Sequence, residues 1–211
     1  MVILGLTGSI GMGKTETARA FARRGVPVCD SDAQVHVLLA KGGAAVAAIE
    51  AEFPGVVRDG AVDRGRLGQR VFGDDAALTR LEAILHPMVR QRQRAFLHRA
   101  AMRRSPLVVL DVPLLFETGG DRLCDKVAVV SAPAFLQRQR VLRRPGMTAE
   151  RFNAVLKQQM PDREKRRRAD YVIPTGLSKG AMVRQVAGLI TVLSRRQGQK
   201  WRGIIRESGK T

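Results

Sequence analysis

The sequence predicts an α/β fold of three layers: a five-stranded parallel sheet with helices on both faces, plus a helical lobe and a lid. Three observations predict it. Short apolar runs at Val2–Leu6, Gly25–Cys29, Leu107–Asp111, Lys126–Val130 and Tyr171–Ile173 alternate with stretches of helical periodicity, the pattern of strands buried on both faces. The first run leads into a glycine-rich loop and then a helix, Glu16 to Arg24, that stops at Gly25. Acidic residues follow the second and third runs, Asp30-Ser31-Asp32 and Asp111, which puts carboxylates where open α/β sheets bind ligands, at the carboxyl ends of strands.

The loop, Gly8-Ser9-Ile10-Gly11-Met12-Gly13-Lys14-Thr15, matches G-x-x-x-x-G-K-S/T. Glycines there allow backbone angles closed to other residues and leave no side chain between the amides and a ligand. The loop N–H groups and the helix N-terminus then surround an anion with partial positive charge. Lys14 is placed to reach outer phosphates, and the Thr15 hydroxyl to sit on Mg²⁺. A chance match in a chain this long is on the order of one per cent from average residue usage. The strand before and the helix after make the loop that of a P-loop NTPase fold, against the alternative of a glycine-rich turn with a surface lysine. Nucleotide contacts are expected from Gly8, Gly11, Met12, Gly13, Lys14, Thr15 and Glu16. The Glu16 carboxylate suits the helix dipole but would repel a phosphate, so it is expected to point outward.

Lys+Arg 37 against Asp+Glu 19 gives a net charge of +18, which implies acidic partners: nucleotides, nucleic acid or an anionic surface. Aromatics at 4% argue against a stacking platform for single strands. Cys29 and Cys124 are too few for a disulfide scaffold, and no Cys/His metal spacing appears. The N-terminal apolar run is too short for a signal peptide, and no stretch approaches the roughly 20 apolar residues that span a bilayer. A cytoplasmic protein with no membrane partner is expected.

Asp30-Ser31-Asp32 has two readings: an N-cap for the helix that follows, or a chemical role. Helices are expected over Gln34–Leu39, Ala44–Phe53, a segment capped by Asp63 and running to Phe72, and Asp75–Leu85; His86-Pro87 interrupts the last, which resumes over Met88–Met102. A block this long between strands exceeds a plain crossover and reads as a lobe that holds a substrate. Asp111 reads either as a Walker B-like carboxylate near Mg²⁺ or as a loop-start aspartate. Pro113-Leu114-Leu115-Phe116-Glu117 ends in another carboxylate on the ligand side. The stretch from Phe135 to Arg168 carries Arg138, Arg140, Arg143 and Arg144, then Arg163-Glu164-Lys165-Arg166-Arg167-Arg168. It reads as a lid that meets phosphates or as a solvated basic face. Ser178 caps a last helix to about Arg195, and the tail from Gln197 to Thr211 reads as frayed.

These landmarks together resemble the dephospho-CoA kinase family. The matching residues are Thr7-Gly8-Ser9-Ile10-Gly11 with Gly13-Lys14; Asp30-Ser31-Asp32; Asp63-Arg64 with Leu67, Val71 and Phe72; Leu85-His86-Pro87; Pro113 to Glu117; Gln137 with Arg140 and Arg144; Gln159; and Lys165 with Ala169 to Ile173. They spread in the family's order over roughly residues 1–190. Met12 and Glu16 depart from the usual loop, and Thr175 stands where the family often has Asn. The resemblance implies a single P-loop kinase domain: core 1–32, 105–137 and 169–195; acceptor-binding insertion about 33–104; lid about 138–168; basic tail about 196–211. It implies ATP and Mg²⁺ as cofactors and 3′-dephospho-CoA as the small-molecule substrate, phosphorylated on its ribose 3′-hydroxyl. Asp32 would accept the hydroxyl proton. Lys14, Mg²⁺ on Thr15, and Arg140 or Arg144 would neutralise the transferred group, with either Asp111 or Asp30 as the carboxylate near the metal. Arg64, His86 and Glu117 would shape the acceptor site, with a purely structural His86 as the alternative.

A monomer or weak homo-oligomer with no nucleic-acid partner is expected. Two other readings share the loop and sheet: another small-molecule or nucleoside monophosphate kinase, and a nucleic-acid-binding P-loop NTPase, which the charge favours and the scarce aromatics oppose.

Overall fold

The computed structural model describes residues 1–201 and Ile204. Two compact units are present, Met1–Cys29 with the chain from Leu97 onward, and Asp30–Phe96.

The first unit is built on the expected sheet. Its strands are β1 (Val2–Thr7), β2 (Val28–Asp30), β5 (Leu107–Asp111), β6 (Lys126–Ser131) and β7 (Tyr171–Pro174), in the order β2-β5-β1-β6-β7. The β1 pairings with β5 and β6, and that of β6 with β7, are parallel. All six residues of β1 are buried, so both faces of the strand are covered. Val2, Leu4 and Leu6 join one cluster with Phe21 of α1 (Lys14–Ala22) and Met182, Val186 and Leu193 of α9 (Lys179–Ser194). Each such fully buried side chain contributes about 1.5–3 kcal/mol. Gly5 points to the other face, where a Cβ would lie 2.7 Å from Leu115 Cδ2 and 2.8 Å from Cys124 Sγ. Burial pushes the Cys124 thiol up to about 12, so it stays neutral and serves as a small apolar filler.

The connection between β6 and β7 holds α6 (Ala134–Leu142), α7 (Ala149–Gln158) and α8 (Asp162–Arg168). The Thr148 hydroxyl caps α7 by accepting from Arg151 N–H. The helix α8 was not expected from the arginine run. Its only buried residue is Lys165.

The second unit holds α2 (Ser31–Leu39), α3 (Val46–Glu52), a hairpin of β3 (Val57–Arg58) and β4 (Ala61–Val62), α4 (Arg64–Val71) and the first part of α5 (Asp75–Met102). A turn at Arg58-Asp59-Gly60 closes this hairpin, with Asp59 at φ 51 and Gly60 at φ 78, the backbone that a two-residue hairpin loop needs. Asp63 caps α4 by accepting from the N–H groups of Gly65 and Arg66.

The expected interruption at His86-Pro87 is absent, and α5 runs through Pro87. Proline removes one helical hydrogen bond and crowds the preceding turn. Leu81, Ile84, Leu85, Met88 and Val89, on both sides of it, pack into the same apolar cluster with Leu38, Ile49 and Phe53, and this packing keeps the helix continuous while Pro87 faces outward.

The frayed tail is corrected over its described part. Asp125 Oδ1 accepts from the N–H groups of Gln199 at 2.6 Å and Lys200 at 2.9 Å, while Oδ2 accepts from Ile3 N–H at 2.8 Å. Trp201 meets His98 edge to face at 4.8 Å, and Ile204 is buried. Residues 202, 203 and 205–211 lie outside the described residues.

Asp125 therefore ties the start of β1 to the segment after α9. Charge-assisted hydrogen bonds contribute about 1.5–3 kcal/mol. Asp125→Ala should lower the unfolding free energy by about 2 kcal/mol, read as a shifted urea midpoint at unchanged m-value, and Asp125→Asn should lose less.

Candidate active site

The loop after β1 is shaped by what surrounds it. Gly8 has no room for a side chain, because a Cβ would lie 2.7 Å from the Val130 carbonyl oxygen. Gly11 and Gly13 stand at φ 77 and φ 93, the left-handed region that favours glycine. Gly13 is the N-cap of α1 and gives it no side-chain cap, so the first-turn N–H groups remain for a ligand. The Thr15 side chain is exposed at this helix start.

Lys14 Nζ lies 2.6 Å from Asp111 Oδ1. The register Leu6↔Asp111 places this carboxylate at the end of β5, directly beside the end of β1, and it is 2% exposed. The two expected phosphate and metal residues are thus brought together by one pair of adjacent parallel strands.

Glu16 points away as expected. Its carboxylate meets Lys179 Nζ at 3.1 Å and Arg19 Nη1 at 2.6 Å, and the Lys179 hydrogen bond holds it below the usual carboxylate range. The Met12 side chain is buried, with Sδ accepting from Ala132 N–H at 3.1 Å, so only the backbone of Met12 faces the loop.

Arg140 is anchored beside the loop. Its guanidinium donates to the Thr175 hydroxyl at 3.2 Å and carbonyl at 2.7 Å, and the Thr175 hydroxyl donates to the Met12 carbonyl at 2.6 Å. Thr175 therefore makes a polar contact from the loop after β7. Arg144 is exposed one turn beyond Arg140.

Glu117 is engaged by the protein itself through one oxygen. Its Oε1 accepts from Lys165 Nζ at 2.8 Å and from Met160 N–H at 2.9 Å, and Lys165 is fully buried. Lys165 Nζ also donates to the Pro113 carbonyl at 3.2 Å, the same oxygen that accepts from the Thr7 hydroxyl at 2.9 Å. Burial alone would raise Glu117; the bonds from Lys165 and Met160 outweigh it and hold the carboxyl below its ordinary value. The sequence signal for Lys165 is that it is the single lysine between Arg163 and Arg168 and one of the residues that carry the family resemblance.

In the second unit the Asp30-Ser31-Asp32 alternatives separate. Asp30 Oδ1 accepts from Ala33 N–H at 3.1 Å and caps α2. Asp32 is exposed in the first turn, and its carboxylate has no hydrogen-bond or ion-pair partner among the described residues. Ser31 Oγ accepts from Gln93 Nε2 at 3.0 Å and Gln34 Oε1 from Arg92 Nε at 2.6 Å, which fixes this turn against α5. Arg64 is exposed at the start of α4, and His86 is half-buried within α5.

A family model described as dephospho-CoA kinase matches residues 2–178. A dephospho-CoA kinase of Paramagnetospirillum magneticum is 67% identical over 79% of this chain and 78% of its own length. One of Mesorhizobium japonicum is 56% identical over 94% of this chain and all of its own. Among solved structures, TT1252 from Thermus thermophilus aligns with TM-score 0.79 at 35% identity, covering 91% of this chain and 97% of its own. A dephospho-CoA kinase from Campylobacter jejuni aligns with TM-score 0.63 at 22% identity over 92% of this chain and 98% of its own, which supports the fold.

The Lys165–Glu117 pair generates two expectations. Lys165→Met should cost about 3–5 kcal/mol, the loss from removing one partner of a buried pair, measured by denaturant titration. The Glu117 carboxyl lies below 4.5 in the folded state, so its contribution is complete above that value and is lost as pH falls through the lower folded value. Wild type should therefore lose more stability than Glu117→Gln on acidification below about pH 4.5.

Proposed function

Because the chain belongs to the dephospho-CoA kinase family, we propose that it transfers the γ-phosphoryl group of ATP to the ribose 3′-hydroxyl of 3′-dephospho-CoA, giving coenzyme A and ADP. The observation that carries this reading is the phosphate loop with Lys14 and Asp111 at its end, inside a chain that the family model matches from residue 2 to 178.

The acceptor hydroxyl attacks the γ-phosphorus while its proton passes to the Asp32 carboxylate, and the bond to the β,γ-bridging oxygen breaks, so that ADP leaves with the electron pair. Asp32 suits this task because Asp30 has taken the capping role and leaves the Asp32 carboxylate unengaged. The loop amides and the α1 N-terminus bind the phosphates, and Lys14 and Arg140 offset the charge that spreads over the transferred group. Arg144 and Arg64 add exposed positive charge for phosphates of the two substrates, and His86 contributes to the acceptor side. Glu117, held by Lys165 and Met160 through Oε1, helps to shape the acceptor site.

Among the described residues no group of three or more His, Cys, Asp or Glu gathers as a metal site. The donors at the loop are instead one hydroxyl, Thr15, and one carboxylate, Asp111, hard oxygens that fit Mg²⁺ completed by phosphate and water. When bound, Mg²⁺ neutralises phosphate charge. No described helix is long and apolar enough to cross a membrane. We place the reaction in the cytoplasm, with the protein a monomer or weak homo-oligomer.

ADP release is to be measured against dephospho-CoA, shikimate, nucleoside monophosphates and RNA. Turnover should require dephospho-CoA; stimulation by RNA or by another acceptor instead would overturn the reading. Lys14→Ala should stay folded and lose nearly all turnover at saturating ATP. Asp32→Asn should lose roughly 10²–10⁴-fold in turnover, the range for a positioned general base, with little change in ATP binding by calorimetry. Asp30→Ala should instead cost about 1 kcal/mol of stability, the cap contribution, and much less turnover.

A further inference from the structure

Within the phosphate loop, Ile10 has both of its peptide groups taken by side chains from far along the chain. Its N–H donates to Gln159 Oε1 at 3.0 Å, and its carbonyl accepts from Gln137 Nε2 at 2.8 Å. A backbone N–H only donates and a carbonyl only accepts, so the orientation of both side-chain amides is fixed. Gln137 projects from α6 and is 6% exposed; Gln159 sits at the C-cap of α7.

Both anchors are themselves held. Gln137 N–H bonds to the Pro133 carbonyl, and Gln159 N–H to that of Leu156. The residue after Gln159, Met160, donates to Glu117, which is paired with the buried Lys165. The next loop residue, Gly11, is pressed against α6, where a Cβ would lie 2.5 Å from Val141 Cγ2. Glycines at 8, 11 and 13 leave the loop many alternative conformations, so something outside it must select the one that aims its N–H groups at an anion.

We propose that Gln137 and Gln159 form an amide clamp on Ile10 that orders the phosphate loop before nucleotide binds, and that both are positioning residues for ATP. The clamp lowers the ordering cost that binding would otherwise carry. The inference rests on the loop binding a nucleoside triphosphate.

The two glutamines have opposite chemical duties, and the test exploits that. Gln159 must accept, so Gln159→Glu keeps the bond from Ile10 N–H while Gln159→Leu removes it. Gln137 must donate, so Gln137→Glu loses the bond as fully as Gln137→Leu and sets a carboxylate against a carbonyl. Binding of a non-hydrolysable ATP analogue to the full chain is measured by calorimetric titration, beside melting temperatures and the KM for ATP. Gln159→Leu, Gln137→Leu and Gln137→Glu should each weaken analogue binding about tenfold, the equivalent of one lost hydrogen bond, and raise KM in proportion. With salt raised to about 0.5 M to screen its added carboxylate, Gln159→Glu should stay within about threefold of wild type, well inside that one-bond loss. The two Leu changes combined should cost less than the product of their single effects, since they act on one peptide segment. Equal losses for Gln159→Glu and Gln159→Leu, or affinities that follow melting temperature alone, overturn the clamp. Failure of the wild-type chain to bind the analogue overturns the nucleotide reading itself.

Discussion

The structure depends on one constraint: the loop after β1 must be held, partly through the Ile10 N–H on Gln159 and the Met12 N–H on the Ser9 carbonyl, so that its remaining N–H groups and the α1 N-terminus face an anion. Gly11 and Gly13 at positive φ turn the chain so that it enters α1 without a side-chain cap. The neighbours then hold that shape from outside. Thr175 fixes the Met12 carbonyl, Ala132 N–H fixes the Met12 sulfur, and β6 crowds Gly8 through Val130. A loop ordered in this way offers its dipoles at no further cost when charge develops, which is the largest single contribution in phosphoryl transfer.

The sheet order explains why so few residues suffice. With β1 central and β5 beside it, Lys14 and Asp111 meet although 97 positions separate them in sequence. The next strand, β6, ends at Ser131, whose carbonyl accepts from Thr175 N–H at 2.8 Å and whose hydroxyl donates to Asp162 at 2.8 Å. The ends of β6 and β7 and the start of α8 are thus joined by polar contacts. The charge of +18 is accounted for only in part by this. Arg140 is tied to the loop after β7 and Arg168 stacks on Phe116 at 4.6 Å, whereas Arg64 and Arg144 are exposed.

What the sequence made legible follows from how local each signal is. The phosphate loop, the caps at Asp63 and Ser178 and the strand runs are set by residues within a few positions of one another, and the structure has them as read except that the second strand begins at Val28 instead of Gly25. Asp30 and Asp32 were indistinguishable by type; only the hydrogen bond to Ala33 shows which is the cap. Pro87 signalled a break that tertiary packing of Leu85 and Met88 overrides. The contacts of Glu117 with Lys165 and Met160, and of Asp125 with Gln199 and Lys200, are not legible because the partners lie 48, 43, 74 and 75 positions apart, and nothing in the local pattern marks such a pairing. The arginine run was legible as charge but not as a helix that buries one lysine.

The central claim is that this loop delivers a phosphoryl group to one hydroxyl of one acceptor. The most direct measurement is phosphorus NMR of the products after incubation with ATP, Mg²⁺ and 3′-dephospho-CoA. The account predicts ADP together with an equal amount of a new phosphomonoester whose phosphorus couples to the ribose H3′. ADP accompanied by inorganic phosphate, or a phosphoester at any other position, would contradict it.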